Sequence, residues 1–312
     1  LNLFNSKKNV YTFIFFSIFF LIGIFIFSDY GISIDEDNTR IIGFLSLEHV
    51  FNVFQSNYAS KINELISGQE SAHSGLETSG VVFDLPMGFI ELVFNIEDSR
   101  KYYLVRHFFN FLLFFVSVYF FYLLLKKRYD SWSIAIIGSL FLILSPRIFA
   151  NSFYNNKDLI FMSLFIIGLY SSINLLDNKN LKNIILFSLI SALMINTRIL
   201  GLILPFLVFI IYLIDIYKNK SLKKNSLYFP LLFLILTTIF LILFWPHLWG
   251  NPFELFLTNV KRLAVHDLEM YTFYLGEFFI HLSVPWHYSL VWIFVTTPIL
   301  YVLLFIFGLV FI

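Results

Sequence analysis

Eight apolar runs, each bounded by charged or turn-forming residues, constrain this chain more than any other feature. They fall at about residues 10–28, 102–125, 132–146, 159–176, 183–197, 199–217, 227–245 and 289–312. The hydrocarbon core of a bilayer is about 30 Å thick and takes about 20 apolar helical residues to cross. Within it every backbone polar group must be satisfied internally, which favours helices. The spacing therefore predicts an all-α, polytopic membrane protein with about eight transmembrane helices. Runs 132–146 and 183–197 are short for a crossing and are expected to tilt or to continue into buried structure. Composition agrees: 59% of residues are hydrophobic, 42 are Phe and only 13% are charged, against roughly 25% charged in soluble domains. The absence of Cys excludes disulfides and thiolate metal sites. The first run is too long for a cleavable signal and no small-residue cleavage site follows it. The start at Leu1 and the stop at Ile312 inside an apolar run point to a piece of a longer protein, with further C-terminal spans expected beyond it.

Orientation follows from basic residues in the short connections. Lys7 and Lys8 precede the first run, Lys126, Lys127 and Arg128 follow the second, Lys179 and Lys182 the fourth, and Lys218, Lys220, Lys223 and Lys224 the sixth. This alternation predicts a cytoplasmic N-terminus. Of the acids, only Asp130, Asp177 and Asp215 fall on the lysine-rich side, and all seven His fall on the other. Topology explains the lysines but not that crowding, so chemistry is expected on the outer, periplasmic or lumenal face. No acid or base stands deep in the middle of a run, which argues against an ion-coupled pump.

The first outer loop, 29–101, opens on the acidic pair Asp35-Glu36, just past the first hydrophobic wall. Leu47, Val50, Phe51, Phe54 and Tyr58 recur at helical spacing, predicting an amphipathic helix on the membrane surface. A second apolar piece runs from Pro86 to Ile96, and the polar stretch from Gly68 to Gly80 reads as a loop. The two helices either form the core of a small outer domain or frame a site at the bilayer surface.

In the second outer segment, Asp158 is either a helix cap or a second carboxylate facing Asp35. Two such carboxylates could share a divalent cation or divide into base and orienter. Arg198 is either a snorkelling anchor or a phosphate ligand, with Arg147 and Lys157 as further candidates; a guanidinium fork matches phosphate oxygens. The third outer loop, 246–288 with the preceding Trp245, offers Trp245, His247, Trp249 and Trp286. These read as an interfacial aromatic belt or as contacts to a lipid carrier or sugar. His247, His266, His281 and His287 lack a metal-helix spacing, and no phosphate-binding Gly loop, nucleophile elbow or dinucleotide fingerprint is present.

Taken in order, Asp35-Glu36, Tyr103-Leu104-Val105-Arg106-His107, Ser145-Pro146-Arg147-Ile148-Phe149 with Asn155-Asn156-Lys157-Asp158, Thr197-Arg198-Ile199-Leu200-Gly201, Trp245-Pro246-His247-Leu248-Trp249 and Pro285-Trp286-His287-Tyr288 resemble the GT-C glycosyltransferases. The nearest branch is family 39, protein O-mannosyltransferase-like, which includes the lipid A aminoarabinose transferases. The resemblance implies one transmembrane module over 1–312, a polyprenyl-phosphate-linked sugar donor and transfer on the outer face. It also implies a catalytic base at Asp35 or Glu36 and a contribution from Asp158; a divalent metal held by Asp35 and Asp158 is left open. Donor-phosphate contacts would come from Arg198, Arg147 and Lys157, and substrate contacts from His107, Trp245, His247, Trp249 and Trp286.

The resulting expectation is an inverting, membrane-embedded glycosyltransferase with Asp35 as base. Its acceptor would be a protein, lipid or glycan, and nucleic acid is not expected as a partner. Richness in Phe, Ile, Asn and Lys suggests a prokaryotic plasma (inner) membrane. The alternatives are a lipid-linked sugar flippase and a non-catalytic membrane scaffold.

Overall fold

The computed structural model describes residues 7–56, 58–66, 80–218, 228–265, 271–280 and 283–311. Most of the polar loop expected at Gly68–Gly80, with Lys220, Lys223, Lys224, His266 and His281, lies outside the described residues.

Helix α1 (Lys7–Ile26) ends in a 3₁₀ turn to Asp29. A surface unit follows, comprising α2 (Glu36–Val53), α3 (Tyr58–Ile66) and α4 (Asp84–Val93). The bundle continues through α5 (Ser99–Tyr129), α6 (Trp132–Ile143), α7 (Pro146–Tyr154), α8 (Asp158–Asp177), α9 (Leu181–Thr197), α10 (Ile203–Lys218) and α11 (Tyr228–Phe244). After α12 (Pro252–Val265) come an antiparallel hairpin of β1 (Tyr271–Tyr274) and β2 (Glu277–Ile280), then α13 (Tyr288–Thr296) and α14 (Ile299–Val310).

Among the described residues, each of the eight expected apolar runs is mostly helical, but not every run is one straight crossing. Among the described residues, four helices are long and apolar enough to span: Lys7–Asp29, Ser99–Tyr129, Asp158–Asp177 and Ile199–Lys218. Two bent pairs raise this to six: α6 with α7 at 68° and α13 with α14 at 110°. Both bends fall just before a proline, Pro146 and Pro298, which supplies no backbone N–H and pushes its predecessor out of helical geometry. The run at 289–312 is therefore two helices. Helices α9 and α11, at 17 residues each, rise about 26 Å, short of a perpendicular crossing.

Local sequence sets the boundaries. Asp98 caps α5 by accepting from Lys101 N at 3.2 Å, and Lys126, Lys127 and Arg128 complement the dipole at its far end. Asn180 caps α9 through Asn183 N at 2.9 Å. In the first outer loop, the expected helix through Tyr58 breaks after Val53. Gln55 takes a left-handed φ of 52° and Tyr58 starts α3. The hairpin, unforeseen in the sequence, turns at Leu275-Gly276, with φ of 51° and 92°, as a tight β-turn requires.

Among the described residues, the two largest apolar cores run through the bundle. Phe16 and Phe19 of α1 pack on Phe111 and Phe114 of α5 and Phe153 of α7. Ile160 and Leu164 of α8 pack with Ile184, Phe187 and Met194 of α9 and Phe233 of α11. The surface unit has its own small core of Ile41, Phe44, Leu45, Leu47, Ile62 and Leu92. The lysine-rich end is tied together by Lys127 with Asp177 at 2.5 Å and by Lys179 with Asp215. The surface unit sits at the opposite end, on the N-terminal part of α5.

Candidate functional site

The two acids of the opening pair go different ways. Glu36 begins α2 and is 1% exposed. Its carboxylate accepts from Ser33 N at 2.7 Å and from His107 Nε2 at 3.0 Å. Glu36 thus closes the turn Ser33–Glu36 onto α5. Asp35, at the cap of α2, projects outward from that fixed turn.

Asp35 lines a cavity of about 220 Å³ with Ser33, Asn151 and Tyr154 of α7, the turn Asn155–Asp158, and Arg198 at the end of α9. The turn is held locally: Asn155 Oδ1 accepts from Asp158 N at 2.8 Å and from Lys157 N at 3.2 Å, capping α8. Arg198 Nη2 donates to Asp158 Oδ1 at 2.5 Å. Three regions separated in sequence therefore bring Asp35, Asp158, Lys157 and Arg198 to one space. Burial pushes the Lys157 amine below its usual range, and Asp84, Asp35 and Asp158 pull it back up. Two acids and two bases of near-balanced charge, in a space below the usual range for drug-sized sites, suit a phosphorylated head group and an attacking hydroxyl. They do not suit a divalent cation. Such ions take six or more oxygen ligands, and here Arg198 engages Asp158 while Lys157 adds a positive charge. Among the described residues no cluster of three His, Cys, Asp or Glu forms.

The remaining candidates lie elsewhere. Arg147 is exposed on α7 and does not line the cavity. His107 is buried beneath it as the partner of Glu36. Trp245 is 2% exposed in a core with Leu241 and Leu248. Trp249 donates Nε1 to Ile242 O at 2.8 Å and sets its ring near His49 and Phe54, docking the end of α2. His247 is half-buried and its pKa is lowered by that burial and by His49. Trp286 is 84% exposed beside His287.

A buried ionic layer behind the cavity was not foreseen in the sequence. Arg40 of α2 pairs with Glu91 of α4, Nε at 3.0 Å, and stacks over Tyr102 with its centroid 4.0 Å away. Arg106 of α5 pairs with Asp84 at 3.1 Å and approaches Glu91 at 3.8 Å. In sequence these charges look like the wet faces of amphipathic helices. Only the stacking of α2 and α4 on α5 puts them out of water.

The fold and site define a polytopic helical membrane protein with a compact, charge-balanced polar cavity at one end of its bundle. The family model described as dolichyl-phosphate-mannose-protein mannosyltransferase matches residues 87–249, more than half the chain. The chain belongs to that family and is a mannosyltransferase-like, GT-C glycosyltransferase of the membrane. The matched region carries Lys157, Asp158 and Arg198 and begins after Asp35. Comparison with curated proteins and with solved structures gave no match.

Proposed function

We propose that the protein transfers a sugar from a polyprenyl-phosphate carrier to an acceptor hydroxyl, with inversion, at the outer face of a prokaryotic plasma membrane. The observation that carries this reading is the convergence of Asp35, Asp158, Lys157 and Arg198 on one cavity. The lysine-rich end of the bundle is the cytoplasmic one by the positive-inside rule, so the cavity end faces out. Residues 1–312 act as one module, with 29–101 as its first outer loop.

In this mechanism Asp35 takes the proton of the acceptor hydroxyl as its oxygen attacks the anomeric carbon. The bond from that carbon to the phosphate oxygen breaks, and polyprenyl phosphate leaves with the electron pair. Arg198 and Lys157 offset its negative charge, and Asp158 orients Arg198. A single displacement inverts the anomeric centre, and much of the rate comes from positioning. An almost wholly apolar groove of about 710 Å³ between α10 and α11 includes Ile195 and Leu202, on either side of Arg198 in the chain, with Phe206, Phe233 and Leu241. It supports a place for the carrier's tail.

The test is Asp35→Asn in membranes supplied with polyprenyl-phosphate mannose. The expected loss of transfer is about 10²–10⁴-fold. A folded variant with wild-type transfer removes Asp35 from the role of base.

A further inference from the structure

Asp84 is the first residue of α4, and its side chain is almost wholly out of water at 4% exposure. A buried carboxylate persists as an anion only when partners hold it. Its Oδ1 accepts from Arg106 Nη1 at 3.1 Å and from Asn156 Nδ2 at 2.8 Å. Asn156 Nδ2 also donates to Thr39 Oγ1 at 2.6 Å. One side chain thus ties α2 and α4 to the turn between α7 and α8. The approach is close because position 43 is glycine: a Cβ there would lie 2.6 Å from the Asp84 carbonyl oxygen.

The turn that Asn156 anchors carries its neighbours Asn155, Lys157 and Asp158 into the cavity, whereas Asp84 stays behind it. The charges facing Lys157 are Asp84 from α4, Asp35 at the start of α2, Asp158 at the start of α8 and Arg198 at the end of α9. Asp84 is the strongest of the three acids opposing the effect of burial on Lys157. Its position is also favourable for binding. Asp35 and Asp158 would repel an incoming phosphate, whereas Asp84 supports Lys157 from outside the space the phosphate enters.

We propose that Asp84 is a positioning residue for this cavity: through Asn156 it sets the turn that presents Lys157 to an anionic phosphate, with its own carboxylate buried behind that turn as a counter-charge. The phosphate rests on the function proposed above. The coupling of Asp84 to Lys157 does not, and it is measured without substrate.

The experiment is competitive labelling of the intact protein in detergent with acetic anhydride, read lysine by lysine by mass spectrometry. Only the neutral amine reacts. Removing one nearby opposite charge lowers an amine pKa by about one unit or more, which raises the neutral fraction about tenfold. Asp84→Asn should therefore label Lys157 about tenfold faster at neutral pH, with Asp84→Glu near wild type. Lys127 and Lys179, ion-paired at the other end of the bundle, should not change. Unchanged labelling of Lys157 in a folded Asp84→Asn overturns the proposal.

Should that variant unfold and label everywhere, the wild type alone decides. Burial holds the Asp84 carboxyl up at about 6 against Arg106, Lys157 and Asn156. As pH falls through that value the Asp84 charge is lost and Lys157 deprotonates more easily. The logarithm of its labelling rate should then flatten near pH 6, and a straight line of unit slope across this region refutes the coupling. If the coupling is present but transfer from polyprenyl-phosphate mannose is not, the proposed donor is wrong and the role of Asp84 stands.

Discussion

Replacing Glu36 with alanine removes the acceptor for two hydrogen bonds, from Ser33 N at 2.7 Å and His107 Nε2 at 3.0 Å, in a site 1% exposed. Hydrogen bonds to a charged acceptor contribute about 1.5–3 kcal/mol each. Deleting the acceptor leaves two donors unsatisfied at about 1–3 kcal/mol each, so the expected loss for Glu36→Ala is about 2–6 kcal/mol. Glutamine keeps one acceptor oxygen and should lose about half as much. Asp35, its neighbour, is solvent-exposed, so Asp35→Asn should cost less than about 0.5 kcal/mol. The assay is thermal unfolding of the purified protein in detergent, run beside sugar transfer. Asp35→Asn should unfold like wild type and lose turnover. Glu36→Ala should unfold several degrees lower and lose turnover as well, because the turn that aims Asp35 is released. Glu36→Ala unfolding at the wild-type temperature, or Asp35→Asn matching its loss, would refute the division of labour.

Arg198→Ala removes the 2.5 Å pair with Asp158, which is largely exposed. Its stability should change by less than about 1 kcal/mol, while the apparent KM for polyprenyl-phosphate mannose rises; a stability loss without a KM effect would make the pair structural. Asp84 also makes stability depend on pH. Its folded pKa, about 6, is raised above the ordinary 3.8 by burial, so the stability this group contributes is fully present below the unfolded value and is lost as pH rises through about 6. Asp84→Asn should flatten the unfolding-temperature profile over that window, and an unchanged slope would assign it to another group. Gly43→Ala forces a Cβ against the Asp84 carbonyl oxygen at 2.6 Å. Overpacking of this kind costs about 1–3 kcal/mol, and faster labelling of Lys157 in the same variant would show the turn displaced with α4.

The spans were legible because a membrane makes them so. Nineteen residues such as Val10–Ser28 without a charge have few alternatives in sequence space. Lysines at alternate connections then order the ends. Asp35, Asp158 and Arg198 could be picked out as anomalies of position, charged groups just beyond apolar walls. The same reasoning could not separate Asp35 from Glu36, since adjacent residues share every positional signal. They part because α2 begins between them, and the helix turns Glu36 inward onto His107 while the cap residue stays outside.

Taken alone, the sequence determined a helical membrane protein, its two chemically unlike ends, and the end on which ionisable groups gather. Hydrophobicity and charge act over whole segments, so they survive without coordinates. Tertiary structure alone decided that residues 35, 157, 158 and 198 share one space. It also decided that Trp245 and His107 are buried supports and that Arg40, Asp84, Glu91 and Arg106 form a dry ionic layer. Those outcomes depend on which faces of α2 and α4 meet α5, a matter of packing between segments far apart in the chain. A charged side chain is written the same way whether it faces water or is sealed beneath a second helix. Only the sealing makes its partner and its position matter.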